Sequence, residues 1–218
     1  MPVSVHNDTA IKNSKTSYTY LALGDSYTIG QSVPSNENYP NQTATLLKKD
    51  SLEGQLKIIA TTGWTTDQLK TAITNAESSG LLLKTYDIVT LLIGVNNQYQ
   101  GQDAAGYKPK FEELLKKAIS LAGNKVNHVV VISIPDWGVT PFGSGKEPYK
   151  IAKEIDTYND INKQLSQQYG VNYIDVTPWT REATNDTSLL AADGLHYSGK
   201  EYALWAEKLA GIIKVVLR

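Results

Sequence analysis

Five short apolar runs, at residues 18–23, 56–60, 86–93, 126–134 and 171–176, alternate along this chain with amphipathic stretches. That alternation is the strongest constraint on its fold. The runs are of strand length and most are bounded by glycine, proline or polar turn residues. The stretches between them carry apolar residues at helical spacing. Leu69, Ala72, Ile73 and Ala76 share one face, with Thr65 or Thr66 placed to cap the helix. Phe111, Leu114, Leu115, Ala118 and Ile119 form the clearest apolar stripe. Residues 40–49 read as a short helix after a polar loop at 31–39. Ile151, Ile155, Tyr158 and Leu165 mark another helix, and Tyr202, Trp205, Leu209 and Ile212 mark the last. Strands that alternate with helices build βαβ units, a parallel sheet and right-handed crossovers. The expected fold class is therefore α/β: a three-layer α/β/α sandwich around a five-stranded parallel sheet.

The chain has 218 residues, 41% of them hydrophobic and 20% charged, which is enough for one domain with a sizeable core. Residues 1–17 read as a polar N-terminal tail and residues 18–218 as a single domain. A net charge of -1 gives no reason to expect nucleic acid or an anionic membrane as a partner. There is no cysteine, which excludes a disulfide framework, a thiol nucleophile and a thiolate-bound metal. No apolar run approaches the ~18 residues that span a bilayer. The tail lacks a signal-peptide core. It is either native or the remnant of a trimmed leader, so both a cytoplasmic and an exported location stay open, as does the oligomeric state.

In an open parallel sheet, ligands bind at the carboxyl ends of the strands. Those ends carry Gly24-Asp25-Ser26, Thr62-Gly63, Gly94-Val95-Asn96-Asn97 and Pro135-Asp136-Trp137, and a later loop ends in Asp193-Gly194-Leu195-His196. A hydroxyl nucleophile, a base, a group to orient the base and donors for an oxyanion are the needs of acyl transfer. The base follows by elimination among three histidines. His6 lies in the tail and His128 near the start of a strand, at the far edge, so His196 is the one placed to reach Ser26. Each fragment also has a plainer interpretation. Gly-Asp-Ser and Asp-Gly are ordinary turn sequences, and either Asn96 or Asn97 could be the working amide. Asp25 more naturally braces the turn than acts chemically. The G-x-S-x-G elbow, the P-loop and G-x-G-x-x-G are all absent.

Taken in order, these four fragments resemble the blocks of the SGNH hydrolases, also called GDSL esterases and lipases. Gly24-Asp25-Ser26 matches the nucleophile block, Gly63 the lone glycine, Gly94-Val95-Asn96-Asn97 the G-x-N-D block, and Asp193 with His196 the D-x-x-H block. Tyr27 stands where the family has leucine, and Asn97 where it has aspartate. The resemblance implies a flavodoxin-like topology of strand order 2-1-3-4-5 and a serine ester hydrolase needing no metal or cofactor. It implies Ser26 as nucleophile, His196 as general base and Asp193 as its orienting acid. The oxyanion hole would be formed by the Ser26 and Gly63 backbone N–H groups and the Asn96 amide.

Loops at residues 97–109 and 135–149 are expected to wall the pocket. Trp64, Asn97, Tyr99 and Trp137 are the expected substrate-binding residues, with Tyr107, Phe142 and Tyr149 on the same loops. No lid is evident, which favours a small acyl ester as the partner, on a short or medium chain. Carboxylesterase, lysophospholipase and carbohydrate deacetylase activities all fit. The alternatives are a non-catalytic flavodoxin-like binding module and an acyltransferase using the same serine.

Overall fold

The computed structural model describes residues 16–218. The tail expected at 1–17, with His6, lies almost wholly outside the described residues, and Ser17 already belongs to the first strand. The strands are β1 (Ser17–Gly24), β2 (Glu53–Ala60), β3 (Ile88–Leu92), β4 (Val129–Ile132) and β5 (Asn172–Ile174). They form one sheet with every pair parallel, as the alternation predicts, in the order β2-β1-β3-β4-β5 that the family resemblance implies.

The helices are α1 (Ser26–Ile29), α2 (Tyr39–Lys49), α3 (Thr66–Ser78), α4 (Val95–Tyr99), α5 (Ala104–Leu121), α6 (Pro148–Tyr169), α7 (Thr177–Arg181) and α8 (Gly199–Val216). Helix α2 packs on α8, while α3, α5 and α6 pack side by side, so helices form two layers about the sheet. Every residue of β3 and β4 is buried, as parallel strands covered on both faces must be. Among the described residues no helix is long and apolar enough to cross a membrane.

Register positions the site. Gly24 at the end of β1 lies level with Ala60 of β2 and Leu92 of β3. The chain therefore leaves three adjacent strands at one edge, and the residues that follow each strand meet there.

Several boundaries differ from the sequence expectation, each for a local reason. Strand β2 begins at Glu53 rather than 56, because its first residues are exposed on an edge strand and carry no apolar signal. Strand β4 begins at Val129 because residues 126–128 form a 3₁₀ turn. Helix α2 starts at Tyr39, where the Asn38 side chain accepts from the Asn41 N–H. The segment 97–109 is largely helix rather than loop, since α4 runs to Tyr99 and α5 starts at Ala104 with Pro109 inside it.

Candidate active site

Asp25 caps α1 by accepting from the Tyr27 N–H at 3.1 Å, and so fixes the turn that presents Ser26 as the helix's first residue. The Asp25 carboxyl is fully buried and its second oxygen has no hydrogen-bond partner among the described residues. Burial raises its pKa to about 7 against the pull of backbone hydrogen bonds. The folded protein thus holds that proton more tightly than the unfolded chain does. Below about pH 4 both forms are protonated. Between about pH 4 and pH 7 the unfolded chain ionises while the buried group still holds its proton, so stability falls across that range and levels off once the buried group ionises as well. Asp25→Asn keeps the capping oxygen and removes the titration. Its stability relative to wild type should rise by about 2–3 kcal/mol between pH 5 and pH 8. Urea melts at both pH values measure this, and a difference between the two proteins that is independent of pH would refute it.

Ser26 and His196 are both buried and both line one cavity of about 140 Å³. Gly63 and Asn96 share that wall. His196 Nδ1 lies 2.7 Å from Asp193 Oδ2, which leaves Nε2 as the nitrogen available to the serine. Among the described residues no hydrogen bond yet joins Ser26 Oγ to the ring, a spacing that commonly tightens only when substrate is bound. Asp193 also makes the turn. Its Oδ1 accepts from the backbone N–H of Leu195 and of His196. Partial burial alone would raise the Asp193 pKa. Hydrogen bonds from Ser32, from the imidazole and from those two amides outweigh it and hold the carboxyl well below the usual carboxylate range. His128 instead bonds the Asp87 carbonyl at the opposite edge of the sheet.

The Asn96 amide donates one hydrogen to the Trp64 carbonyl at 2.9 Å. That bond sets the amide plane and leaves its second hydrogen for the cavity. Trp64 therefore contributes a backbone oxygen, and its ring packs partly buried against the core rather than lining the cavity. Asn97 is likewise corrected: it is buried and does not reach the cavity. Its oxygen accepts from the Thr66 N–H, and its NH₂ donates to Thr66 Oγ1 and to Gln102. It ties α4 to the start of α3, using donors that an aspartate lacks.

The other aromatics divide sharply. Tyr99, Trp137 and Phe142 line the cavity and contact one another, with centroids 5.3 to 5.9 Å apart. The Trp137 indole N–H donates to Gln98, which in turn donates to Glu154. The Phe142 N–H donates to the Gly194 carbonyl, joining this wall to the histidine loop. Tyr107 is not on the wall. It is fully buried in α5, donates to the Ile93 carbonyl and Asn162, and stacks on Tyr158. Tyr149 is 91% exposed on α6 and also lies outside the cavity.

Four wall residues were not expected from sequence: Tyr27, Thr62, Val95 and Leu195. Each is the immediate neighbour of an expected site residue, which is the signal that could have found them. The Tyr27 ring lies 5.2 Å from the imidazole and 5.9 Å from Tyr197.

Known proteins resemble this chain over most of its length. The family described as GDSL-like Lipase/Acylhydrolase matches residues 22–204. No curated protein matches the chain. Among solved structures, the psychrotrophic esterase EstA from Pseudoalteromonas sp. shares 17% identity and a TM-score of 0.65, over 90% of this chain and 97% of that one. Axe2, an acetylxylan esterase from Geobacillus stearothermophilus, shares 17% identity and a TM-score of 0.69, over 90% and 94%. A member of the lipolytic protein G-D-S-L family from Veillonella parvula DSM 2008 shares 20% identity and a TM-score of 0.66, over 90% and 98%.

Proposed function

Because the chain belongs to the GDSL-like lipase/acylhydrolase family, and is a serine esterase of that family, we propose that it hydrolyses short-chain acyl esters through an acyl-enzyme on Ser26. Family membership sets aside the non-catalytic binding module. The observation that carries the proposal is the convergence of Ser26, His196, Gly63 and Asn96 on one small cavity, with Asp193 behind the imidazole.

In this mechanism Ser26 Oγ attacks the acyl carbon and its proton passes to His196 Nε2. The cation that forms is stabilised by Asp193 through Nδ1. Negative charge develops on the carbonyl oxygen and meets the Ser26 and Gly63 N–H groups and the free hydrogen of the Asn96 amide. Collapse breaks the ester C–O bond, and the imidazolium returns the proton to the departing alcohol. Water then repeats the sequence on the acyl-serine, releasing the acid and restoring Ser26.

Cavity size supports the short acyl chain. Its volume of about 140 Å³ is close to the ~150 Å³ that encloses a benzene ring, and below the ~300 Å³ at which drug-sized pockets begin. The partly exposed rings of Tyr99 and Phe142 at its rim suit a ring-shaped alcohol, such as the sugar of an acetylated carbohydrate. Axe2, described as an acetylxylan esterase, would then be a fair guide to the leaving group as well as to the fold. A series of p-nitrophenyl esters from acetate to decanoate tests the acyl preference. The expected kcat/KM is at least about tenfold higher for acetate or butyrate than for decanoate. A maximum at decanoate would overturn it.

A further inference from the structure

The segment that leaves α1 reaches two loops far away in sequence. The Thr62 hydroxyl, beside Gly63, donates to Gln31 Oε1 at 2.6 Å. One residue later, Ser32 Oγ donates to Asp193 Oδ2 at 2.6 Å, across 161 positions of chain. That oxygen is the one that binds His196 Nδ1. The Asp193 carboxylate thus receives four donors, two on each oxygen, which fills its lone-pair sites. A carboxylate held this way cannot swing about its own bond, and the imidazole it holds shares that constraint.

Ser32 adopts φ 66°, a left-handed conformation unusual for serine. Such a conformation persists where surrounding contacts over-determine it. The side chain is exposed, so burial does not account for the strain. The turn on either side of it is held by the Gln31 N–H on the Ser26 carbonyl and the Val33 N–H on the Gly30 carbonyl, and its side chain is held by the hydroxyl bond to Asp193. Removing it would leave the carboxylate's charge to water on one side, since the Asp193 side chain is 31% exposed.

We infer that Ser32 is a positioning residue for the Asp193–His196 pair, its hydroxyl fixing the carboxylate that aims the base at Ser26. The inference rests on the serine-esterase mechanism proposed above and adds a member that no sequence block contains. The groups that face the imidazole are Asp193 on Nδ1, the Tyr27 ring on one side and Ser26 across the cavity.

Two substitutions separate positioning from mere support of the loop. Ser32→Gly removes the hydroxyl but accepts φ 66° without strain, and that relief offsets much of the lost hydrogen bond, so its melting temperature should stay above that of Ser32→Ala and within a few degrees of wild type. Ser32→Ala removes the hydroxyl and keeps the strain. Both should lower kcat about five- to tenfold with little change in KM, because the loss falls on the base and not on substrate contacts. Both should also move the acid limb of kcat/KM to higher pH, since a carboxylate that has lost a donor holds the imidazolium more tightly. Wild-type kcat and an unmoved limb in Ser32→Gly would overturn the inference. So would a Ser32→Gly protein that lost stability and activity together with the limb unmoved, which would make Ser32 a loop staple only. Ser26→Ala is assayed alongside: if that variant retained activity, the esterase mechanism itself would fail, independently of Ser32.

Discussion

Replacing Ser26 with alanine is expected to lower kcat by about three orders of magnitude or more on p-nitrophenyl acetate. The fold should be untouched. The Ser26 hydroxyl makes no hydrogen bond among the described residues, and the turn is held instead by the Asp25 carboxyl oxygen that accepts from the Tyr27 N–H. Alanine keeps the β-carbon and suits the start of a helix. What disappears is the atom that attacks in the proposed mechanism. The residual rate comes from the oxyanion donors and from substrate binding, neither of which needs the hydroxyl. Circular dichroism and melting temperature establish that the folds match, and a phosphonate ester establishes the chemistry. Wild type should gain one phosphonyl group, mapped by mass spectrometry to the peptide carrying Ser26, and the alanine variant none. Equal turnover by the two proteins would sink the nucleophile assignment.

The sheet was legible because its central strands are buried on both faces. Residues 88–92 and 129–132 are apolar but for Thr90, whose hydroxyl is paired with those of Tyr20 and Tyr39, and the turn residues that stop them stand out. The same contrast marks the strand ends, which is why the sequence alone points to one rim for Ser26, Gly63, Asn96 and His196, the residues that share the cavity wall. What was not legible depends on long-range contacts. Gly101, Gly106 and Pro109 punctuate residues 97–109 like a loop, yet the burial of Tyr107 against Tyr158 and Asn162 holds that segment as helix. Asn97 stands next to Asn96 and has the same chemistry. Only the direction in which α4 projects each amide separates a cavity donor from a loop tie. Ser32 carries no local signal, because Gly-Gln-Ser after a helix is ordinary turn sequence and its partner lies 161 residues on.

Gly94→Ala is expected to destabilise the protein by about 4 kcal/mol, and so to lower its melting temperature by about 10 °C. Two costs add there. Gly94 has φ 132°, where side chains with a β-carbon are strained. A β-carbon built on it would also lie 2.6 Å from the Tyr107 hydroxyl oxygen and 2.9 Å from the ring carbon that bears it. That ring cannot yield cheaply. It is fully buried, donates to the Ile93 carbonyl at 3.0 Å and to Asn162 at 2.8 Å, and stacks on Tyr158 with centroids 4.2 Å apart. Gly101→Ala separates the two costs, because Gly101 also has positive φ, at 78°, but a β-carbon there meets nothing within 4 Å. It should lose only about 1 kcal/mol. If the two variants melted together, crowding by Tyr107 would be excluded and backbone strain alone would remain. Activity should fall further than stability in Gly94→Ala. Gly94 is the residue from which α4 departs, and α4 carries the Asn96 amide on its line from the Trp64 carbonyl into the cavity. A shift of that helix by the few tenths of an ångström needed to clear Tyr107 moves the amide that the proposed mechanism uses as an oxyanion donor, and a donor's value there depends on its direction. The folded fraction of Gly94→Ala should therefore show a lower kcat at unchanged KM, while Gly101→Ala keeps both.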